Sequence, residues 1–223
     1  MSEPRTIAVL GGSGALGQAL AKRWGAAGHR IVIGSRSAAR AQEIAATLGG
    51  AVRGMVNRDA AAASEIVAVA VPYEAHRAIL EEIRDAVAGK IVVDATVPLK
   101  PPRVARVQLP PSGSAAKEAQ EILGEGVKIV AAFHTIAAHR LATGETVDCD
   151  VLVFGNDPAA RETVIGLVAD AGLTGWHAGA IDNSAAAEAM TSVLIFLNRR
   201  YGIDGAGFRI TGTPTKTGAT QEG

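Results

Sequence analysis

A doubly wound α/β fold, with helices on both faces of a mostly parallel sheet, is predicted by three features of this 223-residue chain. Apolar runs rich in β-branched residues alternate with helix-period segments through the first two thirds. Those runs are continuous rather than alternating, as strands buried on both faces must be. A glycine-rich turn joins the first run to the first helix.

The first strand is "TIAVLGG" (6–12), followed by a helix from about Ala15 to Ala27 and by a second strand, "RIVIGS" (30–35). Further strands are expected at 51–56, 65–72, 90–98 and 127–136. Between them, "EAHRAILEEIRDAV" (74–87) and "GSAAKEAQEIL" (113–123) set apolar residues at helical spacing. From Val97 to Ser114, five prolines and no periodicity predict a long loop, the kind of segment that often binds or covers a ligand. In the final third, 150–157 reads as a strand, and 158–172 as a helix with Pro158 near its start and Gly172 at its end. Asn183 to Tyr201 forms a last helix with Met190, Leu194, Leu197 and Tyr201 on one face. The expected organisation is a nucleotide-binding domain over 1–137, a smaller C-terminal α/β lobe over 138–213, and a disordered tail over 214–223.

Formal net charge is zero, so no global field favours nucleic acid or an anionic membrane, and any anionic ligand must be held locally. Cys149 is the sole cysteine, which excludes an intramolecular disulfide and a thiolate zinc cluster and fits a reducing cytoplasm. No metal site is expected. The first apolar run is too short for a secretory signal, and none is long enough to span a bilayer. A cytoplasmic protein without membrane or nucleic-acid partners is the expectation.

"LGGSGALG" contains Gly12-x-Gly14-x-x-Gly17 between a strand and a helix, the context that gives the pattern its meaning. This is the Rossmann-type arrangement. Gly12 allows the turn, Gly14 lets backbone approach a pyrophosphate, and Gly17 lets helix and strand pack closely, while the helix N-terminus offers free N–H groups to phosphate. An NAD site places an acid at the end of the second strand, on the ribose hydroxyls. Here "GSRSAAR" holds no acid; Ser35 offers a hydroxyl, Arg36 a planar cation, and Arg40 a second cation one turn on. That selects NADP over NAD.

Ligands of open parallel sheets lie beyond the carboxyl ends of the strands. Three such ends are expected beside the nicotinamide: Pro72-Tyr73, Thr96-Val97-Pro98 and His134-Thr135-Ile136. A carbonyl reductase needs a proton donor there. The Tyr-x-x-x-Lys pair is absent, since Tyr73 precedes Arg77 and Tyr201 precedes Gly205 at that spacing. His134 is a possible acid, with a backbone-bonded strand-end histidine as the equal alternative. His139 reads as a surface residue, and His76 and His177 belong to no recognisable constellation. A cleft without an acid–base pair suits a redox step between two cofactors. Two other readings stay open: an NADPH-dependent reductase of a small C=O or C=N substrate, and a non-catalytic NADPH-binding sensor.

The motifs "AVLGGSGALG", "GHRIVIGSR", "VPLKPP", "FHTIAAHR", "DCDVLVFGND" and "AGAIDNSAAAEAMTSVLIFLNRRYGI", in this order, resemble the NADP oxidoreductases that depend on the deazaflavin coenzyme F420. The resemblance runs from about Thr6 to Gly212 and implies reversible hydride transfer between NADPH and F420. It implies Ser13, Gly14, Ala15 and Leu16 at the pyrophosphate and Ser35, Arg36 and Arg40 at the 2′-phosphate. It also implies His134 and Ile136 against the deazaflavin, with Thr191 approaching from the last helix. A homodimer is implied too, with the last helix partly at its interface; periodicity alone fits an ordinary core helix equally. Ser13 and Ala15 depart from the family's Thr and Asn, and the Pro-rich loop is longer. Lys100, Arg103 and Arg106 are placed to meet the charged tail of F420, or else form a solvated basic loop.

Overall fold

The computed structural model describes residues 2–212, so the tail predicted over 214–223 lies outside the described residues. Six parallel strands, β1 (Thr6–Leu10), β2 (Arg30–Ser35), β3 (Arg53–Val56), β4 (Ile66–Val69), β5 (Ile91–Asp94) and β6 (Lys128–Ala131), form the body of one sheet. β7 (Asp150–Gly155) pairs antiparallel with β6, and β8 (Thr174–His177) parallel with β7. The order is β3-β2-β1-β4-β5-β6-β7-β8, so the strand order reverses between β1 and β4 while their direction stays the same. The predicted doubly wound Rossmann-type sheet is what the chain forms.

The helices are α1 (Ala15–Ala26), α2 (Ala38–Leu48), α3 (Asn57–Ala62), α4 (Tyr73–Ile83), α5 (Ala115–Leu123), α6 (Ala138–Ala142), α7 (Pro158–Asp170) and α8 (Ser184–Tyr201). Successive strand residues point to opposite faces, so β1 feeds two cores. Ile7 and Val9 join Trp24, Ile33, Ile44 and Leu167 on one side. Ala8 and Leu10 join Val32, Leu80, Ile83 and Leu123 on the other. This is why the strands read as unbroken apolar runs. The Trp24 indole N–H donates to the Leu167 carbonyl at 2.8 Å, tying α1 to α7 without leaving a buried donor unpaired.

Four differences from the predicted elements have physical reasons. The strand expected over 127–136 stops at Ala131, because Phe133 adopts φ +68° and turns the chain out of the sheet. A bulky residue rarely takes that conformation; here the ring is buried edge-on to Trp24, at 5.8 Å between centroids. Second, β8 was not foreseen: its "TGWH" is a short edge strand with exposed ends and no apolar run. β7 and β8, from the part assigned to a separate lobe, continue the same sheet. Third, the face predicted for the last helix is divided: Leu194 is buried, whereas Met190 and Tyr201 are 42% and 68% exposed. The inward face is instead Ser184, Ala187, Glu188, Ser192 and Leu194, of which Glu188 and Ser192 bond to neighbouring backbone and Ser184 to the Ser114 hydroxyl. Fourth, the short helices α3 and α6 lack a periodic apolar stripe long enough to be read. The Pro-rich stretch after β5 holds no helix or strand before α5. Among the described residues, no helix is long and apolar enough to cross a membrane.

Candidate functional site

The glycine turn closes between β1 and α1 by a hydrogen bond from the Gly14 N–H to the Gly11 carbonyl, 2.8 Å long. Gly14 is the N-cap of α1 in an extended conformation; it offers no side-chain cap, and the first turn holds no acidic residue. The N–H groups at the start of this helix are therefore open to an anion. Ser13, Gly14 and Ala15 are exposed, Leu16 is half-buried, and Gly17 is buried under the turn. A Cβ on Gly17 would stand 2.7 Å from the Gly11 carbonyl oxygen, which explains the close helix–strand approach. The sequence reading assigned the tight turn to Gly12, and this is corrected. Gly11 adopts φ +82° and is pressed against the Ala70 carbonyl, whereas Gly12 lies in ordinary backbone against the Ile33 side chain.

At the end of β2, Ser35 is half-buried and Arg36 exposed. Ser37 caps α2, accepting the Arg40 N–H at 3.4 Å, so the turn carrying Arg36 is fixed. Arg40 forms an exposed i,i+3 ion pair with Glu43 at 2.9 Å, a contact of little energetic weight that a phosphate can outcompete. Arg36 makes no ion pair among the described residues.

Sheet order places the ends of β4, β5 and β6 side by side, so Pro72, Val97-Pro98 and His134-Ile136 do meet in one region. Pro72 caps α4; Val97 is half-buried, and Pro98, His134 and Ile136 are buried. Neither ring nitrogen of His134 has a hydrogen-bond partner among the described residues. Burial holds its pKa down to about 4, against the pull of the Asp94 carboxylate and carbonyl. His134 is a neutral imidazole at physiological pH. Its main-chain carbonyl accepts the Thr191 hydroxyl of α8 at 2.9 Å, which brings Thr191 to the same turn. Rates are therefore expected to show no limb from His134 between pH 5.5 and 8. A tenfold fall per pH unit in that range, abolished in His134→Asn, would restore His134 as a proton donor.

His139 and His177 make exposed ion pairs with Asp204 and Glu162. His76, placed in no constellation by its sequence, proves otherwise. Its Nε2 meets Asp94 Oδ2 at 2.7 Å with both side chains fully buried, and Asp94 Oδ1 accepts the Thr96 N–H at 2.9 Å. Burial opposes both charges, but each outweighs that penalty on the other: His76 is raised and Asp94 lowered from its ordinary value. The available signal was an aspartate ending the buried run "IVVD", since an acid there needs a partner. Tyr73 donates to Glu118 at 2.8 Å, and burial together with that carboxylate pushes its hydroxyl up to about 12. Lys100 stands 5.8 Å over the Tyr73 ring, while Arg103 and Arg106 are exposed on the Pro-rich loop.

Fold and turn together define the class, a Rossmann-type α/β protein of the dinucleotide-binding kind. The sequence profile described as "NADP oxidoreductase coenzyme F420-dependent" matches residues 6–98. An F420-dependent NADP reductase of Methanothermobacter thermautotrophicus is 38% identical across 93% of this chain and 95% of its own. One of Methanocaldococcus jannaschii is 36% identical across 92% and 97%. The crystal structure of a putative F420-dependent NADP-reductase from Arthrobacter sp. FB24 superposes with a TM-score of 0.82 at 28% identity, covering 93% of this chain and all of that one. The chain belongs to the F420-dependent NADP oxidoreductase family.

Proposed function

We propose that this chain catalyses reversible hydride transfer between NADPH and coenzyme F420. The supporting observation is the pairing of an uncapped, acid-free helix start and a basic β2 end with a cleft wall that offers no proton donor. The chemistry is the cofactors' own: bound NADPH would give up a hydride from nicotinamide C4, and bound F420 would take it at C5 together with a proton from solvent on its ring nitrogen.

The α1 N–H groups around Ser13, Gly14, Ala15 and Leu16 would hold the pyrophosphate, with Gly11 and Gly17 shaping the turn. Ser35, Arg36 and Arg40 would hold the 2′-phosphate. Pro72, Val97 and Pro98 would line the nicotinamide side. His134, Ile136 and Thr191 would wall the deazaflavin side, where the unpartnered imidazole of His134 orients a polar edge rather than moving a proton. What remains for the protein is holding two rings at transfer distance and excluding water. A neutral His134 speaks against reduction of a carbonyl or imine with that residue as acid. The division at residue 137 is one of labour within a shared sheet: the first part holds NADP and carries the His134 turn, and the second adds Thr191 of α8 to the acceptor side.

The exposed stripe of Met190, Val193 and Phe196 on α8 fits a homodimer contact, with Val107 of the Pro-rich loop next to Arg106, whose carbonyl Ser192 holds. A reducing cytoplasm suits the buried free thiol of Cys149.

The test is the loss of the deazaflavin's visible absorbance on mixing with NADPH or NADH, for wild type and Arg36→Glu. Wild type is expected to turn over with NADPH only. Arg36→Glu should raise KM for NADPH by about 10–100-fold, the loss of a charge-assisted phosphate contact, and leave NADH unaffected. No absorbance loss by protein that binds NADPH would reject the reading.

A further inference from the structure

The inward face of α8 repeats a polar pattern: Ser184, Glu188, Thr191 and Ser192 lie at helical spacing and together bond to three separate parts of the chain. The Ser184 hydroxyl donates to Ser114 Oγ at 2.8 Å. Glu188 accepts the Ala115 N–H at 2.7 Å and the Ala116 N–H at 3.2 Å, one on each carboxyl oxygen. Thr191 donates to the His134 carbonyl, and Ser192 to the Arg106 carbonyl at 3.3 Å. Ser114 to Ala116 is where the Pro-rich loop ends and α5 begins; Arg106 is mid-loop; His134 is the turn after β6. One helix grips both walls of the cleft's acceptor side.

Glu188 is the charged-type side chain among them, and only 1% of its surface is exposed. The start of α5 leaves N–H groups without helical partners. Ser114 satisfies one by accepting the Lys117 N–H at 3.0 Å, and Glu188 satisfies the Ala115 and Ala116 N–H groups. Without it, two buried donors would be orphaned at the junction that anchors the loop. Burial pushes Glu188 up to about 8, the two N–H groups pull it down, and Asp94 adds to the rise. A carboxyl kept at that cost has a positional reason, and nothing in the core requires an acid there.

We propose that Glu188 is a positioning residue: seated on the first N–H groups of α5, it latches the end of the Pro-rich loop to α8, the helix whose Thr191 holds the His134 turn, and so sets the acceptor side of the cleft. It touches no reacting atom in this account. The assignment of that side to the deazaflavin rests on the function proposed above; the latch itself does not.

Residue-resolved amide hydrogen exchange without cofactors, on wild type, Glu188→Gln and Glu188→Ala, tests the latch. Glutamine keeps one acceptor but sets an amide N–H against the second donor, whereas alanine removes both. Exchange at Ala115, Ala116 and residues 103–109 should accelerate about tenfold in Glu188→Ala and less in Glu188→Gln, with β1 and β4 amides at wild-type rates. Turnover should show KM for the deazaflavin raised about tenfold with KM for NADPH unchanged. Unchanged loop exchange, or equal acceleration in β1 and β4, overturns the latch; so does a loosened loop with an unaltered deazaflavin KM. If Glu188→Ala fails to fold, the same criteria apply to Glu188→Gln. Loop acceleration in a protein that never reduces the deazaflavin upholds the latch and rejects the proposed function instead.

Discussion

Gly11→Ala is expected to raise the Kd for NADPH by about 5- to 140-fold. Gly11 sits at φ +82°, a region that costs an L-residue about 1–2 kcal/mol. The added Cβ would also lie 2.8 Å from the Ala70 carbonyl carbon, and that neighbour is backbone of the adjacent strand end. Relief requires moving the β1–α1 turn or the β4 end, and either shift misdirects the α1 N–H groups from a bound pyrophosphate. The φ strain weakens the fold with or without ligand, whereas overpacking of this kind costs roughly 1–3 kcal/mol and, relieved at the turn, falls on binding, about 5- to 140-fold at 1.4 kcal/mol per tenfold. Gly28→Ala is the matched control. It too has a positive φ, +97°, but a Cβ there meets nothing within 4 Å, so only the strain is paid. Its stability should fall by about 1–2 kcal/mol with NADPH affinity unchanged. Equal effects of the two substitutions on NADPH binding, measured by titration, would remove the turn from the binding site.

Asp94→Ala should destabilise the fold by about 3–5 kcal/mol, because it strands a fully buried His76 without its partner. Asp94→Asn retains an acceptor and should cost less, about 1–3 kcal/mol. The pH dependence follows from the two shifts. Asp94 is depressed, so its contribution is complete above the ordinary carboxylate range and is lost as pH falls through its lowered value. His76 is raised, so its contribution is complete below the ordinary imidazole range and is lost as pH rises through its elevated value. The gap between wild type and Asp94→Ala should therefore be widest between about pH 5 and 6.5. Urea unfolding across that range measures it, and a gap below about 1 kcal/mol throughout would mean the pair is energetically idle.

Much of this architecture is legible in the sequence because it is local. The strands from β1 to β6 are apolar runs, and "GGSGALG" and "GSRSAAR" lie within 40 residues of the start. The irregularity after β5 is written in its prolines. What escaped is non-local. Asp94 finds His76 across 18 residues and two elements, and Glu188 reaches Ala115 across 73. No periodicity encodes either contact, and on a helical wheel Glu188 looks like any solvated acid. Phe133 is similar: "AAFHTI" reads as strand, and only the fit of its ring beside Trp24 explains the break. Periodicity fits a core helix and an interface helix equally for α8, and the helix is divided: Ser184, Glu188 and Ser192 share the inward side with Ala187 and Leu194, while Met190, Val193 and Phe196 stay exposed.

The central claim, direct transfer between two bound cofactors, is tested most directly by isotope tracking. NADPH carrying deuterium at both positions of nicotinamide C4 is incubated with the protein and oxidised F420 in ordinary water, and the reduced deazaflavin is weighed by mass spectrometry. One deuterium per reduced molecule is expected, located at C5. Reduced deazaflavin with no deuterium at C5 would rule out direct transfer.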